Sequence, residues 1–219
     1  MCAVMIDRIV LDKVKMKVPL QVESSMLWNT RVEFRKGKAY LVEAASGRGK
    51  SSLCSFLCGL RNDYTGRLSF YNGEREYNTE DSMSFVALRQ RGIAMMFQEH
   101  RLFPELSAVD NVMLKSSLTG FASESEVRGM LLRVGLEGHL DVPCGMMSFG
   151  QQQRVAFVRA LCQPADFVLL DEPVSHLDEK NSRIMAQMLS ERVQKDGLGV
   201  IVTSIGYRLP YEYDQILRL

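Results

Sequence analysis

Long apolar runs are missing from this sequence: no stretch approaches the ~20 residues that an α-helix needs to cross a bilayer. The N-terminal stretch MCAVMIDRIVLDKVKMK carries charges inside its apolar part, so it lacks the uninterrupted core of a secretory signal. An excess of one charge is missing too, since 27 Lys and Arg face 26 Asp and Glu for a net of +1. No global field therefore argues for nucleic acid or an anionic lipid surface. The five cysteines, Cys2, Cys54, Cys58, Cys144 and Cys162, contain no C-x-x-C pair. An odd count without a framework points to free buried thiols in a reducing compartment, not to disulfides or a structural metal. Cys54 and Cys58 lie one helical turn apart beside Leu53 and Leu57, which suits helix packing. Internal repeats and low-complexity tracts are absent. Together these absences predict a cytoplasmic protein. If it acts at a membrane, another polypeptide supplies the membrane part.

What is present is an ordinary globular composition in 219 residues, with 46% apolar and 24% charged, enough for one domain with a sizeable core. IDRIVLD and RVEFRKG alternate partly, as strands do, and Lys36-Gly37-Lys38 signals a turn. AYLVEA is a short buried-strand run that breaks into SGRGKSS. SLCSFLCGL then carries apolar residues at helical spacing as far as Gly59. GRLSFYNG predicts a further strand closed by Asn72-Gly73. VDNVMLKSSL, SEVRGMLLRVGL and QQQRVAFVRALC predict a helical middle. ADFVLLDEP, NSRIMAQMLSERVQKD and GLGVIVTSI predict strand, amphipathic helix and strand, and YDQILRL a last strand. Strands alternating with helices imply an α/β fold with a parallel sheet. The sequence ends soon after that last strand, so no added regulatory domain is expected.

Three segments carry chemistry. Ala44-Ala45-Ser46-Gly47-Arg48-Gly49-Lys50-Ser51 follows the phosphate-loop pattern G-x-x-x-x-G-K-[ST] with only its first glycine changed, to Ala44. In such a loop Ala45, Ser46, Gly47, Arg48, Gly49 and Ser52 wrap the phosphates, Lys50 neutralises them, and Ser51 holds Mg²⁺. Next, Phe167 to Glu172 reads as a buried strand delivering two carboxylates at its C-terminal end. Asp171 suits a Mg²⁺ ligand and Glu172 a base that orients or deprotonates water. The third segment, Met147-Ser148-Phe149-Gly150-Gln151-Gln152-Gln153-Arg154, is a serine–glycine turn entering a helix.

That last segment resembles the LSGGQ-type signature of ABC ATPases. FQEHRLFPELSAVDNV resembles the Q-loop region of the same family, and DEPVSHLD the stretch from the carboxylates to the D-loop. The resemblance covers essentially the whole chain and is nearest to compact lipoprotein-release and macrolide-export subunits. It implies a P-loop NTPase: a RecA-like core (about 1–95 and 160–219), an antiparallel β subdomain, and an inserted α-helical signature subdomain (about 96–159). It further implies ATP and Mg²⁺ as ligands, and a homodimer or heterodimer in which each ATP is shared between two protomers. An integral-membrane permease subunit would be the partner, and no nucleic acid would be bound. The chain would sit peripherally on the inner face of the cell membrane. By this likeness Gln98 contacts Mg²⁺ or the attacking water, and Ser148, Gly150 and Gln151 reach the γ-phosphate across the dimer. Asp178 belongs to the D-loop, and Leu102, Phe103 and Pro104 form an apolar dock for the membrane partner.

Several positions depart from the family pattern. Alanine at Ala44 would be strained if that position needs a positive φ. Phe149 replaces a signature glycine. The aromatic that stacks on adenine has no clear counterpart, and neither Tyr40 nor Trp28 is assigned to it. Where the family has a histidine after Val-Thr, this chain has Ser204, and no histidine follows His176. Serine in a nucleotide-contacting place can donate one hydrogen bond but supplies no imidazole. Slow hydrolysis is the expectation, and a nucleotide-gated signalling module is the alternative to a transport motor. His100 and His176 read as exposed loop residues, with an approach to the dimer seam or a phosphate as the alternative for His176, and His139 reads as an ordinary surface residue.

Overall fold

The buried strands sort their side chains to two sides, residue by residue, and that alternation builds the fold. The computed structural model describes residues 5–17, 25–78 and 85–219. Five strands form a parallel sheet: β3 (Ala39–Glu43), β6 (Ile93–Met96), β7 (Phe167–Asp171), β8 (Gly199–Ser204) and β9 (Gln215–Arg218), in the order β6-β7-β8-β3-β9. Four others, β1 (Arg8–Met16), β2 (Arg31–Arg35), β4 (Tyr64–Asn72) and β5 (Arg75–Asn78), form an antiparallel sheet in the order β2-β1-β4-β5.

On one face of the parallel sheet, Tyr40, Val42, Phe167, Leu169 and Ile201 pack with α1 (Lys50–Leu57) and with Ile9, Leu11, Phe34 and Phe70 of the antiparallel sheet. α1 therefore lies between the two sheets. On the other face, Leu41, Val168, Leu170, Val200 and Val202 belong to one continuous core with the remaining long helices. These are α3 (Ala108–Thr119), α4 (Glu124–Arg133), α5 (Phe149–Leu161) and α6 (Glu179–Asp196). A period of two on strands buried from both sides produces continuous apolar runs such as FVLLD.

Each of these four helices starts at a side-chain cap: Ser107, Ser123, Ser148 and Asp178 accept from backbone N–H groups of the first turn. Ser123 and Ser148 complete capping boxes with Glu126 and Gln151. The anticipated strand–loop–helix from AYLVEA through SLCSFLCGL is present. Two strands go beyond the sequence expectations. β6 reads IAMM, four residues with two methionines of weak strand preference, and β5 reads REYN, a polar edge. Between them, the short α2 (Phe85–Ala87) runs into a wider π-type turn over Leu88–Gly92.

Cys54, Cys58, Cys144 and Cys162 are buried free thiols, and burial pushes the Cys58 and Cys162 thiols up to about 12. Cys2 lies outside the described residues.

Candidate functional site

Because β3, β6, β7 and β8 run parallel, their C-terminal ends meet along one sheet edge, the ligand edge of such folds. β3 leads into the glycine loop, β6 into Gln98, and β7 delivers Asp171 and Glu172. β8 sits between β7 and β3 and ties them together at its end. Thr203 and Ser204 pair in register with Asp171 and Glu43, and the Ala44 N–H donates to the Ser204 carbonyl at 3.1 Å.

The loop then turns into α1 through Gly49, whose φ of 93° is a left-handed conformation that suits glycine. Gly47 has a φ of 77°, and a Cβ there would meet nothing within 4 Å. Ala44 is not among the described residues with positive φ, so alanine in place of the first loop glycine carries no backbone strain. The Lys50 ammonium is buried and donates to the carbonyls of Ala44 and Ala45 at 2.9 and 3.0 Å. It thus folds back under its own loop.

Lys50 Nζ stands 3.5 Å from Glu172 Oε1, Gln98 Nε2 3.4 Å from Glu172 Oε2, and Ser51 Oγ 3.3 Å from Gln98 Oε1. These separations exceed those of strong hydrogen bonds, so the cluster is assembled but slack. Glu172 is only 6% exposed and has a φ of 51°, uncommon for a residue with a side chain. Four bonds hold it there: its N–H donates to the Thr203 carbonyl and hydroxyl, and its own carbonyl accepts from Gln153 Nε2 at 3.0 Å and from Ser175 Oγ at 3.4 Å. The Thr203 hydroxyl donates in turn to Asp171 Oδ1. Burial raises the Asp171 pKa above the usual carboxylate range, opposed by hydrogen bonds from Thr203 and Ser51 and by the Lys50 charge. A carboxylate so placed gains from a nearby cation. With Ser51 and Gln98 it makes an all-oxygen donor set, which suits Mg²⁺.

The other expected site residues fall elsewhere or are engaged. Ser204 is 1% exposed, and its hydroxyl donates to the Tyr207 carbonyl and accepts from the Gly206 N–H. That hydroxyl is committed to closing its own turn, so the expected nucleotide contact from it has no free donor. The Ser52 hydroxyl accepts from Arg61. Ser148 and Gln151 bond each other in the cap, and the Gln151 amide nitrogen lies 3.0 Å from His139 Nε2. His139 therefore supports the signature turn and is not a bystander. A Cβ on Gly150 would sit 3.1 Å from the His176 carbonyl, so glycine permits close packing of the signature on the D-loop segment. Asp178 caps α6 through the Asn181 N–H at 2.7 Å. Among the described residues, no hydrogen bond joins Ser148, Gly150 or Gln151 to the glycine loop of the same chain.

His100 corrects the sequence expectation. It is 2% exposed, at a φ of 58°, with its carbonyl held by Arg159. Burial, then His176 and Arg159, lowers its pKa to about 4. The exposed Phe149 ring bridges it to His176, with both ring centroids 4.4 Å away. Trp28 and Tyr40 are both buried: Tyr40 receives the Arg35 N–H on its hydroxyl, and the Trp28 indole donates to the Arg48 carbonyl at 3.2 Å.

The sequence matches the ABC transporter family over residues 27–175. The chain belongs to the ABC transporter family. Among its ABC relatives, the lipoprotein-releasing system ATP-binding protein LolD of Jannaschia sp. is 32% identical over 200 residues, covering 90% of this chain and 87% of that protein. The phosphonates import ATP-binding protein PhnC 2 of Pseudomonas aeruginosa is 34% identical over 202 residues, covering 84% and 72%. A dimeric post-hydrolysis ATP-binding cassette bound to ADP and Pi superposes with a TM-score of 0.75 at 27% identity, covering 90% and 87% of the two chains. The chain is an ATP-binding subunit of ABC transporter type, with the mixed α/β architecture of that fold. No helix among the described residues is long and apolar enough to cross a membrane.

Proposed function

We propose that this chain binds and hydrolyses Mg-ATP and thereby powers transport through a separate membrane permease, lying peripherally on the cytoplasmic face. The observation that carries this reading is the assembly of Lys50, Ser51, Gln98, Asp171 and Glu172 at one sheet edge. Lys50, with the N–H groups of the loop and the first turn of α1, would hold the β- and γ-phosphates. Ser51, Gln98 and Asp171 would hold Mg²⁺, which when bound neutralises phosphate charge. Glu172, facing Gln98, would orient and deprotonate the attacking water. The slack distances leave room for a ligand to draw the cluster together.

Ser148, Gly150 and Gln151 are assigned to the γ-phosphate of a partner protomer, and Asp178 to the seam between the two sites. The likeness to a dimeric cassette supports this, as does the lack, among the described residues, of any hydrogen bond from the signature to its own loop. Residues about 96–159 are assigned to a helical subdomain and the remainder to the core. The relatives include a lipoprotein-releasing and a phosphonate-importing subunit, so the likeness favours no direction of transport.

The permease dock, expected at Leu102, Phe103 and Pro104, is assigned to the groove of about 270 Å³ beside the Gln98 turn, which Phe103 lines with Phe97, Leu114 and Leu118, while Leu102 packs against the core. Arg101, Lys115 and Arg159 line the same groove. Lys115 forms no ion pair or side-chain hydrogen bond among the described residues. A docking segment carrying a carboxylate between apolar residues fits this lining.

A second reading, a nucleotide-gated module with slow turnover, is favoured by one observation: the Ser204 hydroxyl is spent on its own turn, leaving no side chain there for the γ-phosphate. Sedimentation of Glu172→Gln with and without Mg-ATP tests the shared-site reading. A dimer that forms only with nucleotide, and not in Glu172→Gln/Lys50→Ala, is expected. Monomers in nucleotide-saturated protein would refute it.

A further inference from the structure

The one tryptophan of this chain lies outside every motif, yet it touches the glycine loop. Trp28 sits in a turn before β2 whose backbone is fixed from several sides. Ser25 Oγ accepts from the N–H groups of Leu27 and Trp28 at 3.1 and 2.8 Å, and the Asn29 N–H donates to the Val14 carbonyl. The indole packs edge-on against Phe56 of α1 at 6.2 Å between ring centroids, and is 7% exposed. Its Nε1–H donates to the Arg48 carbonyl.

In a trans peptide the C=O and the following N–H point in opposite directions, and no described peptide is cis. Drawing the Arg48 carbonyl toward Trp28 therefore turns the Gly49 N–H away from the indole. The Gly49 N–H has no acceptor among the described residues, and the left-handed φ of Gly49 is the conformation in which the loop enters α1.

We propose that Trp28 is a positioning residue for nucleotide binding: its indole N–H holds the Arg48–Gly49 peptide so that the Gly49 N–H is aimed at phosphate before ligand arrives. This rests on the reading of the loop as a nucleotide site. Without the indole donor the peptide can rotate, and binding must then include the cost of ordering it.

The test replaces the donor and keeps the shape. Because the chain has one tryptophan, benzothienylalanine can be incorporated in its place, with sulfur where Nε1–H stands; Trp28→Phe is the genetically encoded companion. Mg-ATP affinity is measured by calorimetry on the full chain, alongside unfolding without nucleotide. The expected result is ATP affinity weakened roughly three- to tenfold in the benzothienyl protein, the worth of one hydrogen bond, with unfolding close to that of wild type. A role in packing alone predicts unchanged affinity there and loss only on Trp28→Ala, and that outcome overturns the proposal. Wild-type Trp28 emission should also change with Mg-ATP and saturate with the calorimetric curve. Wild-type protein that binds no ATP would instead sink the nucleotide reading itself.

Discussion

Replacing Thr203 by valine removes one hydroxyl from the end of β8 and leaves the side-chain volume nearly unchanged. In the native protein Thr203 is fully buried, and its hydroxyl both donates to Asp171 Oδ1 and accepts from the Glu172 N–H at 3.2 Å. The second bond is redundant, since that N–H also reaches the Thr203 carbonyl at 3.3 Å. The first is not: the carboxylate is buried and loses its strongest donor, with only Ser51 and the Lys50 charge remaining to favour the ionised form. A hydrogen bond to a charged group contributes about 1.5–3 kcal/mol, so a loss near 2 kcal/mol is expected. For a chain of this length that corresponds to a melting temperature lower by about 4–8 °C, read by thermal unfolding in nucleotide-free buffer. Thr203→Ser keeps the donor and deletes one buried methyl, so it should cost only about 1 kcal/mol. Thr203→Val should also raise the Mg²⁺ concentration needed for half-maximal nucleotide binding. A valine variant as stable as wild type, or a serine variant worse than the valine one, would refute the hydroxyl's role in holding Asp171.

Other substitutions separate local roles. Ser204→Ala should lower stability by about 1 kcal/mol in denaturant while ATP affinity stays at the wild-type level, because the hydroxyl serves its own turn. Ser204→His should raise turnover if the missing imidazole limits hydrolysis, and steady-state rates decide it. Burial, and then Arg159, lowers the Lys115 pKa to about 8 from 10.5, so between those values the folded chain binds fewer protons than the unfolded one. Lys115 therefore adds stability as pH rises across that window, against the buried Cys58 and Cys162 thiols, which stay protonated up to about 12 in the folded chain and lower stability there. Lys115→Met should make stability fall more steeply with pH in denaturation measured at both ends. Gly47→Ala should cost only the left-handed strain of about 1–2 kcal/mol, since its Cβ meets nothing. Gly59→Ala should cost more, because its Cβ would fall 2.0 Å from the Phe85 ring.

The parts of the site that were legible in the sequence are those whose chemistry is contiguous. The glycine loop, the FVLLDE strand and the serine–glycine helix start each carry their residues within ten positions, and each lies on the element anticipated for it. Contacts made by topology were not legible. Thr203 meets Asp171 only because β8 pairs with β7 in parallel register, and Trp28 meets Arg48 only because α1 lies between two sheets. His139 reaches Gln151, and His100 is buried beneath Phe149, through the packing of loops from separate segments. β6 is unmarked in the sequence because a strand of four residues with two methionines has neither alternation nor strong preference to signal it. Ser204 shows the reverse case: its position in the family pattern points to a ligand contact, while the turn its hydroxyl makes with Gly206 and Tyr207 has no mark in that pattern.

The most direct test of the account is steady-state Mg-ATP hydrolysis against protein concentration, with Glu172→Gln as the blank. Turnover per chain should rise with concentration as protomers pair, and vanish in the blank. Activity indistinguishable from the blank, in protein that demonstrably binds ATP and dimerises, would contradict a self-sufficient catalytic site.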